Sequence, residues 1–214
     1  MRIDSRVVGA FQENAYLVID EPTNRAVLVD PGAEPDTLIG MVSESHAVLD
    51  AIWLTHAHLD HIGGIVGVRK RWNVPVYLHA ADLPLYVRAE AQAAMYGLPF
   101  DQPDEPDYYV ADGDTLRVGA TGFSVIHTPG HSPGHVVFLH GATMLGGDLV
   151  FAGSIGRTDL PLSDPLRMEE SLAKICELDG DVRVHPGHGP PTTIARERAT
   201  NPFLSGAARI VRHG

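Results

Sequence analysis

Cysteine is nearly absent from this chain. Among 214 residues only Cys176 carries a thiol, so no intrachain disulfide and no thiolate-held metal knot can form. Cys176 itself reads as a small buried residue on a helix. Long apolar runs are missing too, with no stretch of the roughly eighteen residues that a membrane span needs. The N-terminal MRIDSRVVGAFQENAYLVID lacks a basic head, a long apolar core and an evident cleavage site, so no signal peptide is expected. Cytoplasmic residence is the default these absences leave. Basic charge is scarce: 16 Lys and Arg stand against 27 Asp and Glu, a formal net charge of -11. Without a long basic stripe, nucleic acid is not an expected partner. An anionic small molecule in one pocket is not excluded. Neither GxxxxGK nor GxGxxG occurs, which argues against nucleotide binding by those routes. Cys176 stands in no supporting motif, so a cysteine nucleophile is disfavoured.

What is present is an ordinary soluble composition, 44% hydrophobic and 20% charged. The length suits one substantial core or at most two small domains. RVVGAF, AYLVI and RAVLVD read as a strand meander with short polar breaks. PGAEPDTLIGMVSES turns to helical spacing through Leu38, Ile39 and Val42. LDAIWLT reads as a buried strand, and HIGGIVGVRKRW as a helix whose double glycine permits close packing. NVPVYLH is a short strand. ADLPLYVRAEAQAAMYGL is helical in composition, and PFDQPDEPDYY reads as a surface loop. In the second half DGDTLRVG, GFSVIHT, HVVFLHG and TMLGGDLV read as strands and PLRMEESLAKICEL as a helix. VRVHPGHG closes as a strand running into a loop, and TTIARERATNPFLSGAARI is helical until Pro202. Both halves run strands, histidine loop, helix. That echo suggests two sheets face to face with helices outside, a four-layer α/β arrangement. No linker divides the chain, so residues 1–214 are expected to form a single domain.

Twelve histidines are present, and their positions matter more than their number. His56, His58, Asp60 and His61 follow one strand in THAHLDH. His131 follows another in HTPGHSPGH, Asp148 ends a third, and His188 lies after the last. Strand-end loops are where an α/β scaffold exposes ligand groups. Imidazole and carboxylate suit zinc, manganese or iron. Seven such groups exceed one tetrahedral ion and are enough for two ions that share a bridging acid. The plainer alternative is a set of surface histidines on polar loops. Glycines and prolines that fix backbone shape accompany these loops and weigh against it. His127, His135, His140 and His185 fall in or near strands and suit packing or support. Of these, His185 is the candidate for orienting a ligand. His46, His79 and His213 have no motif around them.

THAHLDH, HTPGHSPGH, GDLVFAGSIGRTD and HPGHG, in that order, resemble the signatures of the metallo-β-lactamase superfamily. The resemblance covers nearly the whole chain and points to its glyoxalase II-like (hydroxyacylglutathione hydrolase-like) branch. It implies an αβ/βα sandwich with the site at one edge. It implies that His56, His58 and His131 bind a first metal and that Asp60, His61 and His188 bind a second. Asp148 would bridge the two, and Arg157 and Asp159 of GRTD would form a supporting network. Two divalent ions are implied, Zn2+ foremost, with Fe or Mn as alternatives. The chemistry implied is hydrolysis of a thioester such as S-lactoylglutathione by metal-activated hydroxide, with Asp60 and Asp148 as the catalytic carboxylates.

The chain ends 26 residues after His188, too soon for the C-terminal helical domain with which full-length glyoxalase II enzymes bind glutathione. A substrate pocket is therefore expected from residues 80–108, residues 150–164 or a second subunit of a homo-oligomer. Tyr86, Tyr96 and Phe100 are its candidate walls, with core packing as the alternative for each. The rival activity is an iron-dependent persulfide dioxygenase. A lactonase, phosphodiesterase or β-lactamase on the same fold follows, and last comes a non-catalytic metal-stabilised module.

Overall fold

The structure, a computed structural model, describes residues 1–210; His213 lies outside them. The first half builds one sheet from six strands in sequence order. These are β1 (Arg2–Val8), β2 (Glu13–Asp20), β3 (Arg25–Val29), β4 (Val48–Trp53), β5 (Val76–His79) and β6 (Tyr108–Val110). The first three are antiparallel neighbours, and β3 to β6 run parallel. The parallel steps need crossovers, which α1 (Pro35–Ser45), α2 (Leu59–Ile62), α3 (Ile65–Arg71), α4 (Leu83–Tyr86) and α5 (Ala89–Met95) supply.

The second half builds a partner sheet. In chain order it contributes β7 (Thr115–Val118), β8 (Thr121–His127), β9 (Val136–His140) and β10 (Thr143–Gly147). A separate hairpin of β11 (Val150–Phe151) and β12 (Ser154–Ile155) intervenes, then α6 (Pro165–Cys176), β13 (Arg183–Pro186), β14 (Thr192–Thr193) and α7 (Ile194–Thr200). The spatial order is β14-β13-β10-β9-β8-β7, with β10 and β13 parallel.

Three apolar clusters fill the spaces between layers. Leu17, Ile19, Leu28 and Ile52 of the first sheet meet Leu38, Ile65 and Val68 of the outer helices. Their alternating neighbours Tyr16, Val18, Val27 and Trp53 point the other way, onto Phe123, Val125 and Phe138 of the second sheet. Val137, Met144 and Val184 on that sheet's far face pack on Met168, Leu172, Ile175 and Ile194. The order is helix, sheet, sheet, helix, as the strand–helix echo predicts. Because both faces of β2 are covered, all eight of its residues are buried.

Three local readings change. HIGGIVGVRKRW is not one helix: it breaks between α2 and α3 at Gly63–Gly64. A Cβ on Gly63 would stand 2.6 Å from the Gly32 carbonyl, and Gly64 donates its N–H to the Pro31 carbonyl at 2.8 Å. Tertiary contact with the 30–33 turn thus outweighs helical continuity. The tail of PFDQPDEPDYY is not loop, because Tyr108–Val110 adds to the sheet edge, where Tyr108 stacks on Tyr77 at 5.0 Å. TMLGGDLV is not one strand: β10 stops at Gly147, and Val150–Phe151 pairs with Ser154–Ile155 instead. Asp148 sits in that break. Among the described residues no helix is long and apolar enough to cross a membrane.

Candidate metal centre

Parallel strands place their C-terminal ends on one rim, and that rim gathers the polar groups. β4 runs out into Thr55–His58, and α2 presents Asp60 and His61 on its first turn. The loop from β8 to β9 brings His131, the end of β10 brings Asp148, and the loop after β13 brings His188. His56, His58, His61, His131 and Asp148 are buried.

The seven groups divide into two trios. Donor atoms of His56, His58 and His131 lie within 4.8 Å of one another, as do those of Asp60, His61 and His188. His58 Nδ1 faces His131 Nε2 at 2.8 Å. His188 Nε2 stands 3.3 Å and His61 Nε2 3.9 Å from Asp60 Oδ2. Asp148 reaches both trios. Its Oδ2 is 3.4 Å from His131 Nε2 and 3.5 Å from His188 Nε2, while Oδ1 is 3.5 Å from His61 Nε2. Gly187 permits this approach, because a Cβ there would meet Asp148 Oδ1 at 2.2 Å and the His61 ring at 2.7 Å.

The donor set fits divalent cations on a direct observation. His56 Nε2, His58 Nε2, His61 Nε2 and Asp148 Oδ1 are buried without a hydrogen-bond partner. Each such orphan costs about 1–3 kcal/mol unless something satisfies it. Protonation follows the same logic. Burial, then the neighbouring imidazoles, hold His56 well below the usual histidine range; burial and His131 bring His58 down to about 3. Burial also lowers His131. These rings are neutral and offer lone pairs, the form a metal ligand requires. Burial opposes charge on His61 and His188 as well, but carboxylates win: Asp148 and Asp60 raise His61, and a hydrogen bond to Asp60 raises His188. Burial likewise opposes ionisation of Asp148, yet His61 and its neighbours hold it far below the carboxylate range. In the second trio a proton balances the acids where a cation can.

A further layer of buried groups sets the orientation of these side chains. His131 Nδ1 donates to the Arg157 carbonyl at 2.8 Å, leaving Nε2 as the acceptor. Asp30 Oδ2 faces His61 Nδ1 at 3.1 Å and accepts from the Thr55 hydroxyl at 2.6 Å; Oδ1 accepts from Thr55 N–H at 2.7 Å. Asp30 also groups with His56 and His61 within 4.8 Å, but its oxygens are already engaged, so it orients rather than ligates. Glu13 is buried behind His61, at 3.9 Å, with both oxygens unpartnered, and burial raises its carboxyl well above the ordinary range. Asp30 carried a readable signal, since RAVLVD ends in an acid as the strand before Asp148 does. Nothing in the sequence marked Glu13.

Above the trios lies a cleft of about 240 Å³, floored by His58, Asp60, His131, Asp148 and His188. Phe11, Gln92, Tyr96, Phe151, Arg157 and Leu160 form its walls. Phe11 and Tyr96 meet edge to face at 5.9 Å. Tyr96 is therefore a wall, but two other expected walls are not. Tyr86 is fully buried in the helix-side core with its hydroxyl on the Asp104 carbonyl. Phe100 packs against that same core and borders a separate groove over α1 and α3. His185 does not orient a ligand either: it packs edge-on against Tyr16, 5.5 Å away, one residue before the chain leaves β13. Arg157 supports His131 through its main chain, while its guanidinium pairs with Asp159 at 2.8 and 2.9 Å.

Residues 8–188 match the model of the metallo-β-lactamase superfamily. The chain belongs to that superfamily. Its members are mostly hydrolases. Over 210 residues, 96% of this chain, it is 35% identical to the hydroxyacylglutathione hydrolase GloC of Haemophilus influenzae and covers 99% of that protein. Among solved structures, the B3 metallo-β-lactamase BLEG-1 is 37% identical with a TM-score of 0.89, over 96% of this chain and 100% of that one. TTHA1623, crystallised in a di-iron-bound form, is 45% identical with a TM-score of 0.87, over 94% and 100%. The superfamily fold and the clustered His and Asp donors together mark a divalent-metal centre, and the di-iron neighbour leaves the choice of metal open.

Proposed function

We propose that this protein is a binuclear metal-dependent thioesterase acting on a small thioester such as S-lactoylglutathione. The observation that carries the reading is Asp148, whose two oxygens reach both trios at 3.4–3.5 Å. His56, His58 and His131 would hold one cation, Asp60, His61 and His188 the other, with Asp148 between. Zn2+ is the favoured pair, with Fe or Mn as alternatives. Bound there, the cations supply a water of lowered pKa and polarise a carbonyl. Asp60 borders the cleft with an oxygen 3.3 Å from His188, where it orients the attacking water. A thiolate leaves without protonation because its parent thiol, with a pKa of about 8.5, is acidic enough for the anion to depart, so no separate acid is required. Phe11, Tyr96, Phe151 and Leu160 take the apolar stem of the thiol or acyl group. The alignment to the hydroxyacylglutathione hydrolase GloC covers 99% of that relative, which supports a glutathione thioester as substrate.

The test is a substrate panel with metal analysis on the loaded protein. Two metals per chain and a kcat/KM for S-lactoylglutathione well above that for a lactone, a β-lactam or a phosphodiester are expected. A single iron with oxygen consumption on glutathione persulfide would overturn the proposal.

A further inference from the structure

Asp82 lies on the single 3-10 turn Ala80–Asp82 after β5, at the head of the segment expected to build a pocket. It lines no cleft. Its side chain is completely buried, and both oxygens are used. Oδ2 accepts from the Ala57 N–H at 2.9 Å and from the Ser132 hydroxyl at 2.7 Å; Oδ1 accepts from the Gly134 N–H at 2.5 Å. Ala57 is the residue between His56 and His58. Ser132 directly follows His131, and Gly134 is two positions further along the same loop. One carboxylate therefore fastens the loop that carries two imidazoles of the first trio to the loop that carries the third. Gly134 presses directly on it: a Cβ there would stand 2.6 Å from the Asp82 nitrogen and 2.9 Å from its side-chain carbons.

The second trio is fastened elsewhere. The Asn14 amide donates to the Pro186 and Gly189 carbonyls at 3.0 and 2.8 Å, and Asn14 N–H to the Gly187 carbonyl at 2.7 Å, so Asn14 grips the His188 loop. Asp30 holds His61. No bond from Asp82 reaches these groups.

We infer that Asp82 is the positioning residue of the first cation site, setting the spacing of the His56, His58 and His131 donors and hence that site's affinity, without setting the second site's. The inference rests on the two-cation reading of the centre and is independent of the substrate.

Asp82→Asn is the discriminating change. An amide keeps the shape but replaces one acceptor oxygen by NH2. Two backbone N–H groups face opposite oxygens, and neither can turn to accept. Whichever way the amide is placed, one N–H meets another donor. Groups that bond metal ligands directly typically contribute about 10- to 100-fold to metal affinity, and Asp82 acts one residue further out, through the neighbours of those ligands.

The experiment is titration of metal-free full-length protein with Co2+ alone, following its visible absorption and chelator competition, with thermal unfolding measured in parallel. His131→Ala and His188→Ala identify which spectral step belongs to which trio. The expected result is a loss of about tenfold or more at the His131 step in Asp82→Asn, with the His188 step unchanged. Asn14→Ala is expected to show the reverse. Ser132→Ala removes one of the three bonds and should weaken the same step by a smaller factor; it decides the matter should Asp82→Asn not fold. Equal weakening of both steps, or of neither, would overturn the inference. Wild-type protein that binds fewer than two Co2+ would overturn the two-cation reading and this inference with it. Failure to cleave thioesters would leave the metal result intact and count only against the proposed substrate.

Discussion

The backbone N–H of Asp148 donates to Nε2 of His135 at 3.0 Å, and His135 Nδ1 meets the Thr128 hydroxyl at 2.9 Å. The acid that spans both trios is thus anchored by a histidine that ligates nothing. Burial pushes His135 well below the usual histidine range, which keeps Nε2 free to accept. Gly147 must be glycine here, because its φ is +47° and a Cβ would stand 2.7 Å from that nitrogen. His135→Leu fills the space but orphans the Asp148 N–H. A stability loss of about 1–3 kcal/mol is expected in urea unfolding, together with weaker binding of both cations in calorimetric titration. His135→Gln, which keeps an acceptor, should recover part of both.

Asp148 and His188 separate the shared ligand from the single-site one. Asp148→Ala should lose tight binding of both cations together with activity. His188→Ala should keep one cation and lose the other. Metal analysis after gel filtration reads both; full occupancy of both sites in either variant would refute that residue's assignment.

Arg157 acts on His131 through its carbonyl, which every substitution retains. Its guanidinium is exposed and paired with Asp159. Arg157→Ala should therefore leave metal content intact and change stability by no more than about 1 kcal/mol, as for other exposed pairs. A raised KM with unchanged kcat is the expected kinetic result, since the side chain borders the cleft. Loss of metal would show that the side chain, not the main chain, holds His131.

Two tyrosines expected to do the same job should now behave differently. Tyr96→Ala removes a cleft wall and its edge contact with Phe11, so KM should rise with little change in stability. Tyr86→Phe removes a hydroxyl bonded to the Asp104 carbonyl inside the core. It should lower stability by about 1 kcal/mol and leave KM unchanged. Steady-state kinetics and denaturant unfolding on the two variants check the contrast.

His185 gives a pH signature. Burial, with Arg183 nearby, lowers it to about 4 from an ordinary value of 6.5. Between those values the unfolded chain binds a proton that the folded chain does not, so stability falls as pH drops from 6.5 toward 4. His185→Phe preserves packing against Tyr16 and removes this contribution. The slope of unfolding free energy against pH, measured on metal-free protein across that window, should flatten in the variant. An unchanged slope would show that His185 does not titrate in the window.

Much of the layering was legible because it rests on local pattern. Apolar runs between polar breaks in β2 and β3, helical spacing at Leu38 and Val42, and strand-end histidines are all properties of neighbouring residues. What was misread lay where distant chain decided. Gly63–Gly64 looks like a weak point inside a helix until the 30–33 turn presses on it. Tyr108–Val110 looks like loop because a three-residue edge strand has no periodicity of its own. Tyr86 and Tyr96 lie in similar sequence surroundings, and only their placement on α4 and after α5 sends one into the core and the other to the cleft.

The sequence by itself determined the chemistry available: imidazoles and carboxylates at four strand ends, with a single cysteine and so no thiolate cluster. Their order along the chain was enough to indicate a metal centre. Only the tertiary structure decided what holds that centre in shape. Asp30, Asp82, His135 and Asn14 act on groups 13 to 175 positions away, at Thr55, Ala57, Gly134, Asp148 and Gly189. A hydrogen bond works over about 3 Å of space whatever the separation along the chain, so such partners leave no spacing rule to read.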